Sequence, residues 1–498
     1  MNSYKELEKL FREIGTLEEV ENLLHWDMSV MMPAGGAESR AEQLAVMKST
    51  IHKMLTDQSL TTLLDAAEAD PPVSAWETAN LREMRRCWRN ANTVDGKLVA
   101  ELSKASSRCE IIWRDARSKN DFAAVSEPLS KVLGLVREKA RTKASERGFE
   151  PYEALLDQFE PDIRITDIDR LFDDIAEFLP NFLDNVLTRQ ITVGGYIKPE
   201  GPFNLAAQRD LAVKLMERVG FDFDHGRLDI SLHPFCGGVP DDVRVTTRYE
   251  ESEFAQSLMG VLHETGHAMY ERGLPVSWRL QPVGRARGMA LHESQSLLIE
   301  MQVCRGMDFL NFAAPLIQKA FKGTGDAWLP ENMQRLQAHV ERSLIRVDAD
   351  EVTYPAHIIL RYRLERALID DDLQVADLPA AWKEGMRDLL DIVPNSDRDG
   401  CMQDIHWYSG DFGYFPTYTL GALTAAQLFQ AVVAQYPDIY TSIAKGDFRE
   451  LQSWLMKNIY SQACLRPVAG LLKEATGISL SANPFLTHLT TRYLKELV

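Results

Sequence analysis

Apolar residues recur every three or four positions along most of this chain, which is the period of a helix with one buried face. The spacing predicts helices over 4–26, 39–68, 75–110, 120–145, 166–190, 205–219 and 251–272. It predicts more over 289–306, 330–347, 353–369, 379–391, 422–435, 448–459 and 465–475. Asp57 and Thr166 stand where N-caps are expected, with side-chain oxygens that can accept from orphan N–H groups. One region changes period: Leu228-Asp-Ile-Ser-Leu alternates, Cys236-Gly-Gly-Val-Pro-Asp turns, and Val243-Arg-Val-Thr-Thr-Arg-Tyr alternates again. That predicts a β-hairpin, with a further short strand near Ile191–Tyr196. No repeat or low-complexity linker divides the chain, so a single, mainly α domain over 1–498 is expected, with a small sheet beside the chemistry.

Composition narrows the function. The 498 residues carry 55 Lys+Arg against 73 Asp+Glu, a net charge of −18, which argues against nucleic acid as a partner. No run of about 18 apolar residues appears, so no membrane span is expected. The start, Met-Asn-Ser-Tyr-Lys-Glu, has no signal-peptide pattern. Six scattered cysteines without a CxxC pair fit a reducing compartment, and a cytoplasmic location is expected.

Chemistry concentrates at His263-Glu-Thr-Gly-His267, an HExxH pattern inside a predicted helix. Residues four apart share a helix face, so both imidazoles can reach one ion. Glu264 then lies beside the open coordination position, placed to take a proton from a metal-activated water. A catalytic site needs a third ligand, and no HExxHxxGxxH continuation supplies a histidine. Glu293, 26 residues beyond His267 in Leu291-His-Glu-Ser-Gln-Ser296, is favoured, with Glu300 and Glu271 as competing choices. Without a third ligand, the motif reduces to two histidines and a solvated glutamate on an ordinary helix.

Six short motifs in order now resemble the Taq-type thermostable metallocarboxypeptidase family. They are His233-Pro-Phe235, Asp242-Val-Arg-Val-Thr246, the HExxH, His292-Glu-Ser-Gln295, Ile345-Arg-Val-Asp-Ala-Asp350 and Gly400-Cys-Met-Gln-Asp-Ile-His-Trp407. Leu24-His-Trp-Asp-Met28, Met32-Pro-Ala-Gly-Gly36 and Gly413-Tyr-Phe-Pro-Thr-Tyr-Thr-Leu-Gly421 extend the likeness to nearly the whole chain. One departure stands out. Leu297-Leu-Ile-Glu-Met301 replaces an expected arginine and aromatic–acidic pair, keeping only Glu300, which leaves the surroundings of the zinc ligand or a groove wall open.

The resemblance implies a mainly helical fold with a deep substrate groove, N-terminal helices of about residues 1–110 covering it, a homodimer, and one Zn²⁺ or Co²⁺ per chain. It implies removal of single C-terminal residues from peptides with broad preference. Tyr354 is similar in placement to the oxyanion tyrosine of angiotensin-converting relatives, its alternative being a helix-start tyrosine before proline. His233 is a candidate donor to the substrate backbone, and His406 a candidate at the oxyanion or substrate terminus; either is as readily structural. Arg244 and Arg346 are candidates for the substrate carboxylate, because arginine pairs with it bidentately. Nearby Asp242 or Asp350 offers each an internal ion pair instead, and the family pattern admits alanine at the Arg346 position, which favours Arg244. The competing functions are an oligopeptidase or dipeptidyl carboxypeptidase with the same ligands, and a non-catalytic, metal-stabilised peptide-binding protein.

Overall fold

The computed structural model describes residues 3–497, most of them helical. They gather into two compact units interleaved in sequence. The first comprises Met1–Asn92, Tyr196–Gln337 and Thr424–Leu480; the second comprises Thr93–Gly195, Ala338–Leu423 and Ser481–Val498. Of the N-terminal stretch 1–110, residues up to Asn92 thus belong to the first unit and the remainder to the second.

Two long periodic runs are broken by aspartates. Asp57 accepts from the Ser59 N–H at 2.8 Å and caps a new helix, Gln58–Ala69. Asp95 caps Gly96–Lys119 in the same way. The strand expected near Ile191–Tyr196 does not form: the helix from Ile165 continues to Val193 and ends at Gly194, whose φ is +86°. The helix expected over 330–347 stops at Gln337. Beyond it, side chains take over the backbone groups. Gln190 accepts from the Val340 N–H at 2.9 Å, and Asp350 from the Glu341 N–H at 3.1 Å.

The sheet also differs from the expected hairpin. Strands β1 (Gly226–Ile230), β2 (Cys236–Val239) and β3 (Asp242–Thr247) lie in the order β1-β3-β2, with β1 parallel and β2 antiparallel to β3. The two alternating segments therefore run parallel, and the residues read as a turn form the middle strand in sequence. Gly238 explains it. Its φ is +85°, and a Cβ there would lie 2.2 Å from the Asp242 carbonyl oxygen, so only glycine lets so tight a connection pair.

This sheet is the bed of the HExxH helix, Ala255–Gly273. Leu228, Val243 and Val245 meet Val261 and Ala268 in one buried cluster. Leu258, Leu262 and Met269 join the larger core with Leu291, Leu298 and Phe309. With apolar contacts on both sides, the helix has little freedom to rotate or slide.

Gly266, inside the motif, fixes its distance from the next helix, Met289–Leu297. A Cβ at Gly266 would stand 2.4 Å from the Gln295 carbonyl oxygen and 2.6 Å from Ser296 Cα. Alanine normally gains about 1 kcal/mol over glycine in a helix. Here the obstacle is backbone, so Gly266→Ala is expected to cost about 1–3 kcal/mol through overpacking. It should also reduce metal content, because Glu293 rides on the displaced helix. Urea unfolding and metal analysis check both; a stabilised, fully loaded variant would refute the close-approach argument.

Candidate active site

His263 and His267 project from one face of their helix with ring centroids 5.1 Å apart. Glu293 Oε2 lies 3.3 Å from His267 Nε2 and 3.9 Å from His263 Nε2. One donor atom from each of the three falls within 4.8 Å of the others, the one such group among the described residues. The competing carboxylates serve histidines instead. Glu300 Oε2 meets His263 Nδ1 at 2.9 Å, and Glu271 Oε1 meets His292 Nε2 at 2.8 Å. His292 in turn stacks on His267, with centroids 4.4 Å apart.

Burial sets the electrostatics. It would lower His263, but the Glu293 and Glu300 carboxylates overcome it and push the imidazole up to about 10. Burial, with His292 nearby, takes His267 down to about 4 despite Glu293. Glu293 is held down to about 2, because His263 and His267 outweigh its own burial. Burial raises Glu264 to about 7 against the pull of His263. The surrounding carboxylates make the site a partly buried nest of negative potential, which suits a cation.

A divalent ion fits this donor set. Two imidazole nitrogens and a carboxylate suit Zn²⁺-like, borderline ions and leave a fourth position open. His263 has the hydrogen-bond partner typical of a metal-ligating histidine, since Glu300 fixes its ring through Nδ1. His267 has none: its Nδ1 is buried without a hydrogen-bond partner.

Comparison with known proteins decides the family. Residues 6–493 match the description "Carboxypeptidase Taq (M32) metallopeptidase". The chain belongs to that family. It is 37% identical to thermostable carboxypeptidase 1 of Thermus thermophilus, over 99% of this chain and 98% of that protein. It is 32% identical to carboxypeptidase 1 of Bacillus subtilis, over 98% and 97%. The solved metallocarboxypeptidase 1 of Trypanosoma cruzi superposes with a TM-score of 0.97 at 37% identity, covering 99% of each chain. This M32 member is therefore a metallocarboxypeptidase, a peptide hydrolase dependent on a divalent ion, and the His263–His267–Glu293 group can hold that ion.

The remaining residues named from sequence fall in both units. His233 is exposed on the loop between β1 and β2. Arg244, on β3, is bound to Asp242 through Nε at 3.0 Å and lies over the Trp26 ring at 4.6 Å. In the second unit, Arg346 donates to Asp404 through Nε at 3.0 Å and Nη2 at 2.8 Å, and to the Tyr354 hydroxyl through Nη1 at 2.8 Å. Asp350, its expected internal partner, instead caps the turn before Tyr354 by accepting from Val352 and Thr353. His406 packs beside Phe415 and Tyr414 and is pushed down to about 4 by burial, so it is a neutral ring at neutral pH.

Sequence reasoning left Arg361 and Asp404 without roles. Arg361 is fully buried, donates to Asp404 Oδ2 at 2.7 Å, and so shares that carboxylate with Arg346. Two guanidinium groups on one carboxylate hold Asp404 well below the ordinary range, in spite of its burial. Glu300 was named as a rival ligand and as the surviving acidic residue of the family pattern, without a role toward His263. Its spacing carried the clue: seven residues, two turns, from Glu293 keeps it on the same face.

Arg305 completes the chain His263–Glu300–Arg305, donating to Glu300 Oε1 at 2.7 Å. Removing Glu300 leaves His263 without the group that orients it. Glu300→Ala is expected to weaken metal binding about tenfold to a hundredfold, the usual cost of losing the group that orients a ligand. Competition with a chelator of known affinity measures it, and an unchanged dissociation constant would remove Glu300 from the site.

Proposed function

We propose that this chain releases single C-terminal residues from peptides with broad preference, using His263, His267 and Glu293 to hold one Zn²⁺ or Co²⁺. The observation that carries this reading is that partly buried group of three donors with Glu264 next to it on the same helix. The bound ion supplies Lewis acidity to the scissile carbonyl and acidity to the attacking water. Glu264 takes the water's proton at its carboxylate and returns it to the leaving amine, a general base that becomes a general acid. Its burial keeps competing water away from that proton.

Substrate is held by the first unit's cleft of about 740 Å³, whose wall includes His292, Glu271 and β2. As an edge strand, β2 offers unpaired backbone groups to an extended peptide. His233 lies at the start of that edge and donates to the peptide backbone in this reading. Tyr354 serves the developing oxyanion, His406 the oxyanion or the substrate terminus, and Arg346 or Arg244 the terminal carboxylate. Both are already engaged, Arg244 by Asp242 and Trp26 and Arg346 by Asp404 and Tyr354. The protein acts as a cytoplasmic homodimer. The free state of all six cysteines supports a reducing compartment, and no described helix is long and apolar enough to cross a membrane.

Two experiments test this. Glu264→Gln should keep its metal and fold but lose at least about a thousandfold in kcat, since the proton acceptor is gone; near-normal turnover by the loaded variant would move the base elsewhere. Mass analysis of defined peptides should give a ladder stepping by one residue from the C-terminus. C-terminal amidation should slow cleavage at least about tenfold, the equivalent of 1.4 kcal/mol. Steps of two indicate a dipeptidyl carboxypeptidase, equal cleavage of amidated peptides at internal bonds an oligopeptidase, and no cleavage by loaded protein a binding function.

A further inference from the structure

Glu293 sits between two anchors. On its C-terminal side, the Gln295–Ser296 backbone rests on Gly266. On its N-terminal side, Gly288, at φ +68°, turns the chain into the helix immediately after Arg287. Arg287 is 2% exposed, and its Nη1 donates to Glu83 Oε1 at 2.6 Å. Glu83 is itself buried, on the N-terminal helix Ala75–Asn92. The Arg287 backbone N–H donates to the Tyr270 hydroxyl at 3.3 Å, and Tyr270 lies one turn beyond His267 with its ring against His292. One turn before Glu83, Asn80 grips the same loop. Its Oδ1 accepts from the Val283 N–H at 3.2 Å, and its Nδ2 donates to Gln281 Oε1 at 2.9 Å.

A helix some 200 residues upstream therefore holds the loop 281–287 at two successive turns, just before the segment that carries Glu293. If stability alone were at stake, an apolar pair would serve as well as a buried Glu–Arg pair. What the ion pair adds is direction, since it fixes where the Arg287 backbone and the following turn must lie. We propose that Glu83 and Arg287 are positioning residues for the metal ligand Glu293, so that the N-terminal helices are part of what shapes the metal site. This rests on the reading that Glu293 is a ligand.

The test compares Zn²⁺ dissociation constants, by chelator competition, with apo-protein unfolding midpoints. The variants are Glu83→Gln, the double variant Glu83→Leu/Arg287→Met, and Glu293→Ala. Expected is a tenfold or greater loss of Zn²⁺ affinity in the double variant, with an apo midpoint near wild type because no charge is left buried alone. Glu83→Gln should lose affinity in the same direction and serves if the double variant does not fold. Affinity within twofold of wild type in the folded variants, whatever their midpoints, overturns the positioning role. If Glu293→Ala also binds as wild type does, the ligand reading has failed instead, which separates the two outcomes.

Discussion

The backbone-to-backbone approach at Gly266 is the constraint from which the His263–His267–Glu293 group follows. An imidazole pair at i and i+4 is common on helices; what makes it a three-ligand group is a carboxylate delivered from a second helix at the right distance. With only hydrogen at position 266, the Gln295–Ser296 backbone can lie against the HExxH helix, bringing Glu293 Oε2 to 3.3 Å from His267. The sheet and the larger core hold the HExxH helix from two sides, so displacement would fall on the ligand helix.

Burying so many charged groups is tolerable only because each is compensated. Isolated, a buried carboxylate or guanidinium would cost several kcal/mol. In the first unit, Glu300 lies between His263 and Arg305, while His292 is held by Glu271. In the second, Asp404 joins Arg346 and Arg361, and the Glu365 carboxylate accepts from Tyr152, Trp407 and the Gly413 N–H. The two centres differ in sign. The histidine nest gathers carboxylates and attracts a cation, whereas two arginines on one aspartate leave a local excess of positive charge.

Most of the helices were legible because their buried faces repeat at the helical period, and so was the grouping of Glu293 with the two HExxH histidines. What was not legible has specific causes. Asp57 and Asp95 interrupt runs whose periodicity continues across the break, so spacing alone merges four helices into two. The parallel pairing of β1 with β3 depends on a third strand made from a Cys-Gly-Gly-Val stretch that reads as a turn. Glu83, Asn80 and Asp404 act through residues far away in sequence, and one sequence carries no signal for such partners. Arg244 and Arg346 were chosen from motifs; Asp242 was legible as a partner for Arg244, whereas Asp404, in place of Asp350, became visible as the partner of Arg346 only with the side chains in place.

The departure at Leu297-Leu-Ile illustrates why geometry outlasts residue identity here. Leu298 and Ile299 are fully buried in the larger core, so this stretch serves packing rather than the ligands. The helix widens to π geometry over Leu298–Cys304. In an α-helix, a residue five positions on points well away from the first. In the π register the Arg305 N–H bonds back to the Glu300 carbonyl at 3.0 Å, which draws the Arg305 side chain over the Glu300 carboxylate. The support for His263 thus depends on one glutamate two turns after Glu293 and on an arginine brought round by the wider turn. The residues between them are free to differ from the family pattern as long as they fill the core and sustain that register.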